Sequence, residues 1–590
     1  MSNALFGVDV RSLAAMRILL AAGILLRLQD IYPHAEAFLT DSGVVPRSLF
    51  FETGPAEGLS LYFLNGTPLF AVTLLTLNAL AAVALLFGYR ARLAALVCWI
   101  LSISLTQRAP LIATGADYLV GYLLFWAMFL PTGSAFAIDA ALREEARPRS
   151  HLSVASAGLL LQAMYVYFFG ALLKTGGAWH AEGSAVYAAL HLETVVTPLG
   201  HWLRNFPDIT VPLTHGVWWL EVLSPAILFF PLWTARVRLI AIPIFIAMHI
   251  GFRLFLAIDQ FWIFSIASLI AFVPGIFWDW WDKRYWRDRQ RSIAIYYDRD
   301  CAFCRKISLV LRQFFLPHTI AVKPAQDEPG VGEVLERENS WVVIGDDGRQ
   351  RLHWRALVYV TEQSLFMRPL SWLLALCGAL GLGRRTYEVI GRNRSSLSKL
   401  VPAPGRAFRL SAPVQIGLAV VLVFSLAWNL RTHVAVLREA LPMEHPMVRT
   451  ARAFQLLQRW RMFAPIPQLD YVAPVVEARL ENGGAVDMIN GRPGAPAYEW
   501  PTYPVEAVRS PPWRAYFNGV TFHLPGLSTR YFTAYASYIC RSWNRDHADG
   551  EDMESLKLTL LKGRTLSNFD SDRSGREEMN FRCVDRMAPY

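Results

Sequence analysis

Two small groups of side chains in this 590-residue sequence have the types and spacing to do chemistry. The first is Cys301-Ala-Phe-Cys304, which follows the apolar stretch 292–297 and precedes the amphipathic stretch 305–315. Both thiols therefore fall where a strand turns into a helix. Cysteines three residues apart at a helix start share a face, and the unpaired N–H groups there favour a thiolate on the first. Asp298 and Asp300 oppose that charge, while Arg299, Arg305 and Lys306 offset them. A redox pair is one reading; an inert structural pair and half of a four-ligand zinc site are the others, although no second CxxC or histidine cluster completes a zinc site.

The second group is Tyr167, Gly170 and Lys174, which recur at +3 and +4 steps along one face of an apolar helix, with Trp179 shortly after. Gly170 permits close approach of a ligand or helix. A lysine held in an apolar pocket loses its charge readily and can serve as a base, and polar side chains within lipid spans are functional candidates by default. The simpler alternative is a lysine snorkelling from a span end.

The elements that must position these groups are membrane helices. At 54% hydrophobic, the chain is too apolar for an ordinary soluble enzyme and too long for one domain. Taking ~20 apolar residues per crossing, we expect about eight spans before residue 280, with cores at 13–28, 69–87, 93–105, 118–130, 154–173, 217–232, 239–254 and 261–277. A ninth follows at 413–430. Arg17 and Arg27 bracket the first apolar run and no small-residue cleavage site follows, so it reads as a retained span and not a signal peptide. Basic residues cluster on alternate connections: Arg90 and Arg92; Arg143, Arg147 and Arg149; Arg236 and Arg238; Lys283, Arg284, Arg287 and Arg289. By the positive-inside rule these are cytoplasmic, which puts the N-terminus and the CxxC segment inside and the loops near Asp41 and Lys174 outside. A further basic run, Arg392, Arg394, Lys399, Arg406 and Arg409, precedes the ninth span, which carries the C-terminal part outward. The net charge of +10 is thus spread among loops and forms no nucleic-acid patch.

Four regions follow: a transmembrane domain at 1–285, a strand–CxxC–helix insert at 292–400, an additional transmembrane helix at 411–431 and an exoplasmic part at 432–590. The insert reads as a thioredoxin-like α/β fold, with a further strand at 341–344 and a turn at 345–348. It lacks a proline just before Trp341, where thioredoxins hold a cis-proline beside the disulfide. The last part alternates at 475–480 and 556–560, turns at 481–484 and has a helical pattern at 531–543, the marks of a small α+β domain. Cys540 and Cys583 share that compartment and can pair if the fold brings them together. At 458–467, Trp460, Met462, Phe463, Pro465 and Pro467 concentrate next to the ninth span. Interfacial anchoring by Trp460 and Phe463, or a cover over the mouth near Lys174, are the two readings.

Two resemblances sharpen this. Asp298-Arg-Asp-Cys301-Ala-Phe-Cys304 with Tyr387-Glu-Val-Ile-Gly-Arg-Asn-Arg394 resembles the DCC family of thiol-disulfide oxidoreductase-like proteins, which implies Cys301 as attacking thiol, Cys304 as resolving thiol and a cytoplasmic thiol reductant as partner. The stretches 11–17, 38–46, 115–118 and 167–179 together resemble the HTTM domain, whose best-known relatives are vitamin K-dependent γ-glutamyl carboxylases. That resemblance covers roughly 9–280. It implies Lys174 as the base linked to a lipid quinone of vitamin K type, His249 and Glu221 as matching polar groups of later spans, and Tyr167, Gly170, Asp117 and Glu221 as cofactor-binding positions. Where the carboxylases are expected to carry Asn-His-Tyr, this chain has Gly115-Ala-Asp117-Tyr118. For His249 a packing role, and for Glu221 an interhelical hydrogen bond, are the alternatives.

The expectation is therefore a polytopic α-helical membrane protein of about eight plus one spans, with a thioredoxin-like insert and a small α+β C-terminal domain, in contact with membrane lipids and sited in a bacterial inner membrane. Three functions compete. One is a carboxylase-like enzyme using a lipid quinone on an exoplasmic protein or peptide substrate. The second is a membrane-anchored thiol-disulfide oxidoreductase centred on Cys301 and Cys304. The third is a non-catalytic membrane assembly protein.

Overall fold

A backbone in lipid has no water to satisfy its N–H and C=O groups, so long apolar runs fold as helices that satisfy them internally. The computed structural model describes residues 2–53, 58–143, 148–286, 293–316, 320–364, 367–400, 410–547, 550–566 and 570–583. It is mostly helical, with a two-, a four- and a five-stranded sheet. The first part contains α1 (Val10–Ile31), α2 (Pro68–Phe87), α3 (Ala91–Arg108), α4 (Gly115–Ala127), α5 (Val154–Leu173), α6 (Pro207–Val222), α7 (Thr234–Phe255), α8 (Phe261–Ile270) and α9 (Gly275–Trp286).

Among the described residues, five helices are long and apolar enough to cross a bilayer: α1 with its continuation to Leu39, α2, α5, α7 and the later helix Ala412–Leu430. The pair α8 and α9, bent by 91°, makes a sixth if it counts as one span. Their outward residues, such as Leu69, Leu80, Ile240 and Val423, are exposed apolar side chains that lipid would cover. These helices are compatible with a multi-pass membrane protein. The stretches expected to span at 93–105, 118–130 and 217–232 fall short. Helix α3 carries Arg92 and ends in Thr106-Gln107-Arg108. Helix α4 has 13 residues, about 20 Å at 1.5 Å per residue, against ~30 Å of hydrocarbon. The 217–232 run is divided between the end of α6 and a separate short helix, Ser224–Leu228. About nine expected spans thus reduce to five or six helices of spanning length and composition.

Several basic connections meet at one end of the bundle. Arg11 pairs with Asp9, Asp279 and Asp282, and Arg149 reaches the same Asp279. Arg238 donates to the carbonyls of Leu5 and Leu228. Asp139 accepts from the backbone N–H groups of Arg90 and Ala91, where the chain turns from α2 into α3. Arg17 is buried and donates to the carbonyls of Leu85, Leu86 and Phe136. Some of these arginines therefore serve as ties between loops. Arg147, Arg287, Arg289, Arg406 and Arg409 lie outside the described residues.

The insert follows with β1 (Ala294–Tyr297), α10 (Ala302–Phe315), β2 (Ala321–Pro324), α11 (Val331–Glu338), β3 (Val342–Ile344), β4 (Gln350–Leu352), α12 (His353–Gln363), α13 (Arg368–Ala379) and α14 (Leu382–Arg392). Its sheet has the order β2-β1-β3-β4, with β1 and β2 parallel and the other pairs antiparallel. Parallel neighbours need a crossover, and α10 supplies it. Ile295 and Val343 pack on one face with Val360, while Tyr296 and Val342 pack on the other with Leu335, as the period of two requires. Phe314 of α10 stands against Phe87 at the end of α2, ring centres 6.3 Å apart.

After α15 (Ala412–Leu430), the C-terminal domain comprises β5 (Asp470–Leu480), β6 (Ala485–Asp487), β7 (Arg492–Pro493), α16 (Pro511–Asn518), α17 (Ser528–Asp546), β8 (Met553–Thr565) and β9 (Ser571–Arg582). The sheet order is β9-β8-β5-β6-β7, antiparallel throughout. A disulfide joins Cys540 on α17 to Cys583 beyond β9. The domain sits on loops at the end of the bundle away from Arg11. Arg545 pairs with Glu36 at 2.8 Å, Arg541 donates to the Ser42 carbonyl and Tyr531 shares a hydrogen bond with Thr53.

Candidate functional site

Lys174 caps the C-terminal end of α5, which stops because Gly176 and Gly177 follow and the chain turns into a 3-10 segment ending at Trp179. Its ammonium is paired with the Glu221 carboxylate of α6, and both side chains are buried. The same ammonium lies 4.6 Å from the centre of the Trp179 ring, a cation–π contact that gains strength out of water. Trp179 is in turn fixed by its indole N–H, which donates to the Phe463 carbonyl at 3.0 Å. A lysine snorkelling to water does not fit this: the charge is held inward by a carboxylate and a ring.

Lys174, Glu221 and Trp179 stand on the wall of a cavity of about 1150 Å³. The remaining wall is mostly apolar: α6 and α7 supply Trp219, Leu220, Met248 and Phe252 among others, and the stretches 186–203, 256–261, 461–470 and 511–518 supply much of the rest. Trp219 is also exposed on the outer face of α6, and Gly216 and Gly251 have open space beside them. The cavity is thus open toward the side that lipid would occupy. Asp259 and Arg514 line it as well, with Arg514 donating to the Ala257 carbonyl at 3.2 Å.

Tyr167 and His249 form a second buried pair, Oη to Nε2 at 2.8 Å. They lie one layer behind the wall, since Phe252 and Phe261, both lining residues, stand against the His249 ring at 5.8 and 6.0 Å. His249 Nδ1 is buried without a hydrogen-bond partner among the described residues. Gly170 borders the returning segment: a Cβ there would meet the Trp460 carbonyl oxygen at 3.7 Å.

Asp117 holds Arg27 and the start of α4. Its two carboxylate oxygens take the Arg27 guanidinium at 2.8 and 2.9 Å. One also accepts the Thr114 N–H, closing the start of α4. Thr114 and Gly115 line the cavity, so Asp117 sets the chain that borders it.

The 458–467 segment returns into the bundle. Gln458 and Gln162 exchange amide hydrogen bonds at 3.0 and 2.5 Å, and Trp428 and Asn429 of α15 also donate to Gln458. Trp460 is buried against Tyr122, and Met462 and Phe463 line the cavity. Interfacial anchoring by Trp460 is overturned by that burial; the segment is part of the wall beside Lys174. Sequence reasoning missed Gln162 as its tether, although a glutamine inside an apolar span was the available signal.

Cys301 and Cys304 are joined in a disulfide at the start of α10, and Cys301 Sγ accepts the Cys304 N–H at 3.2 Å. The neighbouring charges point elsewhere. Arg299 pairs with Asp327, Asp298 accepts from Gln326 at 2.9 Å, and Lys306 donates to the Ser398 carbonyl at 3.0 Å. Two of the cations expected to favour a thiolate are therefore engaged by other groups.

No protein family, curated protein or solved structure matches this chain.

Proposed function

We propose that the chain is an integral-membrane enzyme of the vitamin K-dependent carboxylase type, using a lipid quinone and acting on a protein or peptide at the exoplasmic side. The observation that carries this reading is the Lys174–Glu221 pair on the wall of a large apolar cavity open toward lipid. A quinone fits such a donor set: an isoprenoid tail along the α6 and α7 wall, and ring oxygens near Lys174. When bound, the reduced quinone supplies, on reaction with oxygen, a base stronger than any side chain.

The protein's share is then to hold and move protons in a dry site. Glu221 can take a proton from Lys174, because burial narrows the gap between an ion pair and a neutral pair. That transfer leaves an amine able to accept a proton at Nζ. Trp179 and Phe463 shut out water on one side, which strengthens each charge effect within. Tyr167 and His249 brace the wall from behind.

The proposed orientation has the Arg11–Asp279 end in the cytoplasm and the C-terminal domain outside. The joining of basic loops at one end supports it. The deciding experiment is purification with native lipids, mass spectrometry of co-purifying quinone, and quinone-dependent turnover of Lys174→Ala. Loss of turnover in a properly inserted variant supports the assignment; retained turnover sinks it.

A second reading, a membrane thiol-disulfide oxidoreductase, is favoured by the Cys301–Cys304 disulfide at a helix start and by the β2-β1-β3-β4 strand order, which suits a thioredoxin-like core. Thiol trapping in cells tests it. A pair whose oxidation state never changes excludes this role.

A further inference from the structure

We propose that the outward face of α13 and α14 lies on the surface of a bilayer rich in anionic lipid, fastening the insert flat against the membrane. Helix α13 has two faces of different use. Ser371, Leu374 and Gly378, spaced by +3 and +4, are turned to α12: Trp354 donates its indole N–H to the Leu374 carbonyl at 2.8 Å, and a Cβ on Gly378 would meet its ring at 3.1 Å. At 100° per residue the opposite face carries Trp372, Leu373, Leu376 and Leu380. These are 65%, 41%, 46% and 66% exposed.

The apolar band continues onto α14 through Leu382 and Val389, which are 50% and 58% exposed. Four large apolar side chains on one helix face and two on the next are more than scattered surface residues, and they need a cover. Charge identifies it. Between 368 and 399 the basic residues are Arg368, Arg384, Arg385, Arg392, Arg394 and Lys399, against Glu388 as the single acidic residue. An apolar stripe with tryptophan, flanked by arginines whose stems can snorkel, is the pattern of a helix lying in the lipid interface.

Position agrees with this. The insert touches the end of α2 through Phe314 and Phe87. Helix α15, of spanning length, starts 20 residues after α14 ends. A second copy of the chain is the competing occupant, but a stretch with six basic residues and one acidic residue would be repelled by its own image.

The test uses the full-length protein in nanodiscs. A Leu376→Cys/Cys377→Ser variant is labelled with a small environment-sensitive dye; Cys98 is buried, and the other four cysteines are in disulfides. A Glu336→Cys/Cys377→Ser variant, labelled on the exposed side of α11, is the control. With brominated acyl chains and phosphatidylglycerol in the disc, emission at 376 is expected to fall at least by half while emission at 336 is unchanged. Replacing Arg384, Arg385 and Arg392 by glutamate should remove the dependence on phosphatidylglycerol. A label at 376 that stays unquenched with water-like emission in both neutral and anionic discs would overturn the proposal, as would cross-linking between copies through position 376. Because position 376 is exposed, the labelled variant reports on lipid contact without disturbing the packing on Trp354.

Discussion

Lys174 and Glu221, 47 residues apart in the chain, meet as a buried pair at the junction of α5 and α6, with the Trp179 ring over the ammonium. Removing one member strands the other. Lys174→Ala is expected to destabilise the protein by about 3–5 kcal/mol, because Glu221 is left as an uncompensated buried carboxylate. Lys174→Met combined with Glu221→Gln should recover most of that stability, read as Tm in detergent, without recovering the turnover proposed above. Recovery of both would make the pair structural only.

The Tyr167–His249 hydrogen bond gives a second, separable test. Tyr167→Phe leaves His249 without a hydrogen bond on either ring nitrogen, a loss of about 1–3 kcal/mol. Since the pair lies behind the wall, we expect Tm to fall while the affinity for the proposed quinone changes little. A large affinity loss at unchanged Tm would assign Tyr167 to the binding surface instead.

Gln458 holds the returning segment by bonds to Gln162, Asn429 and Trp428. Gln458→Leu should loosen residues 455–466, and hydrogen exchange there should rise well above that of α5. The double change with Gln162→Leu should be milder than Gln458→Leu alone, since neither buried amide is then left unpaired.

The Cys540–Cys583 disulfide closes a loop of 43 residues, for which chain entropy predicts about 4 kcal/mol. Cys540→Ser should therefore lower the unfolding midpoint of the C-terminal domain and leave the helical bundle inserted. Limited proteolysis before and after reduction reads this directly.

Outside the membrane helices, the Arg47 hydrogen bond and charge hold the Asp41 carboxyl below the usual carboxylate range. A depressed folded-state value means stability present above the unfolded value and lost as pH falls through the folded one. The Tm difference between the wild type and Asp41→Asn should thus be greatest near neutral pH and shrink below about pH 4.

The positions of several elements were legible in the sequence because they depend on local pattern. Alternation at 475–480 falls within β5, the strand at 341–344 is β3 shortened by one residue, and the apolar run 154–173 is α5 itself. Short helices were not legible as such: α4 reads as apolar over 118–130, but its start is pinned by Asp117 and Arg27, 90 residues apart, and no local pattern announces that tie. Lys174 could be singled out by its spacing from Tyr167 and Gly170, whereas its charge partner could not be derived from that spacing. The Gln162–Gln458 bond spans 296 positions. Such pairings depend on tertiary packing, which periodicity does not encode.

Met462, Phe463 and Arg514, all part of the cavity wall, come after α15 and so emerge late from the ribosome. The bundle formed by the first 286 residues must therefore be held with an open slot beside Tyr122 and Gln162 until the insert and α15 have been made. Assembly of the cavity is a late event of biosynthesis, and a chain stopped at the insert has helices α1 to α9 yet no finished chamber.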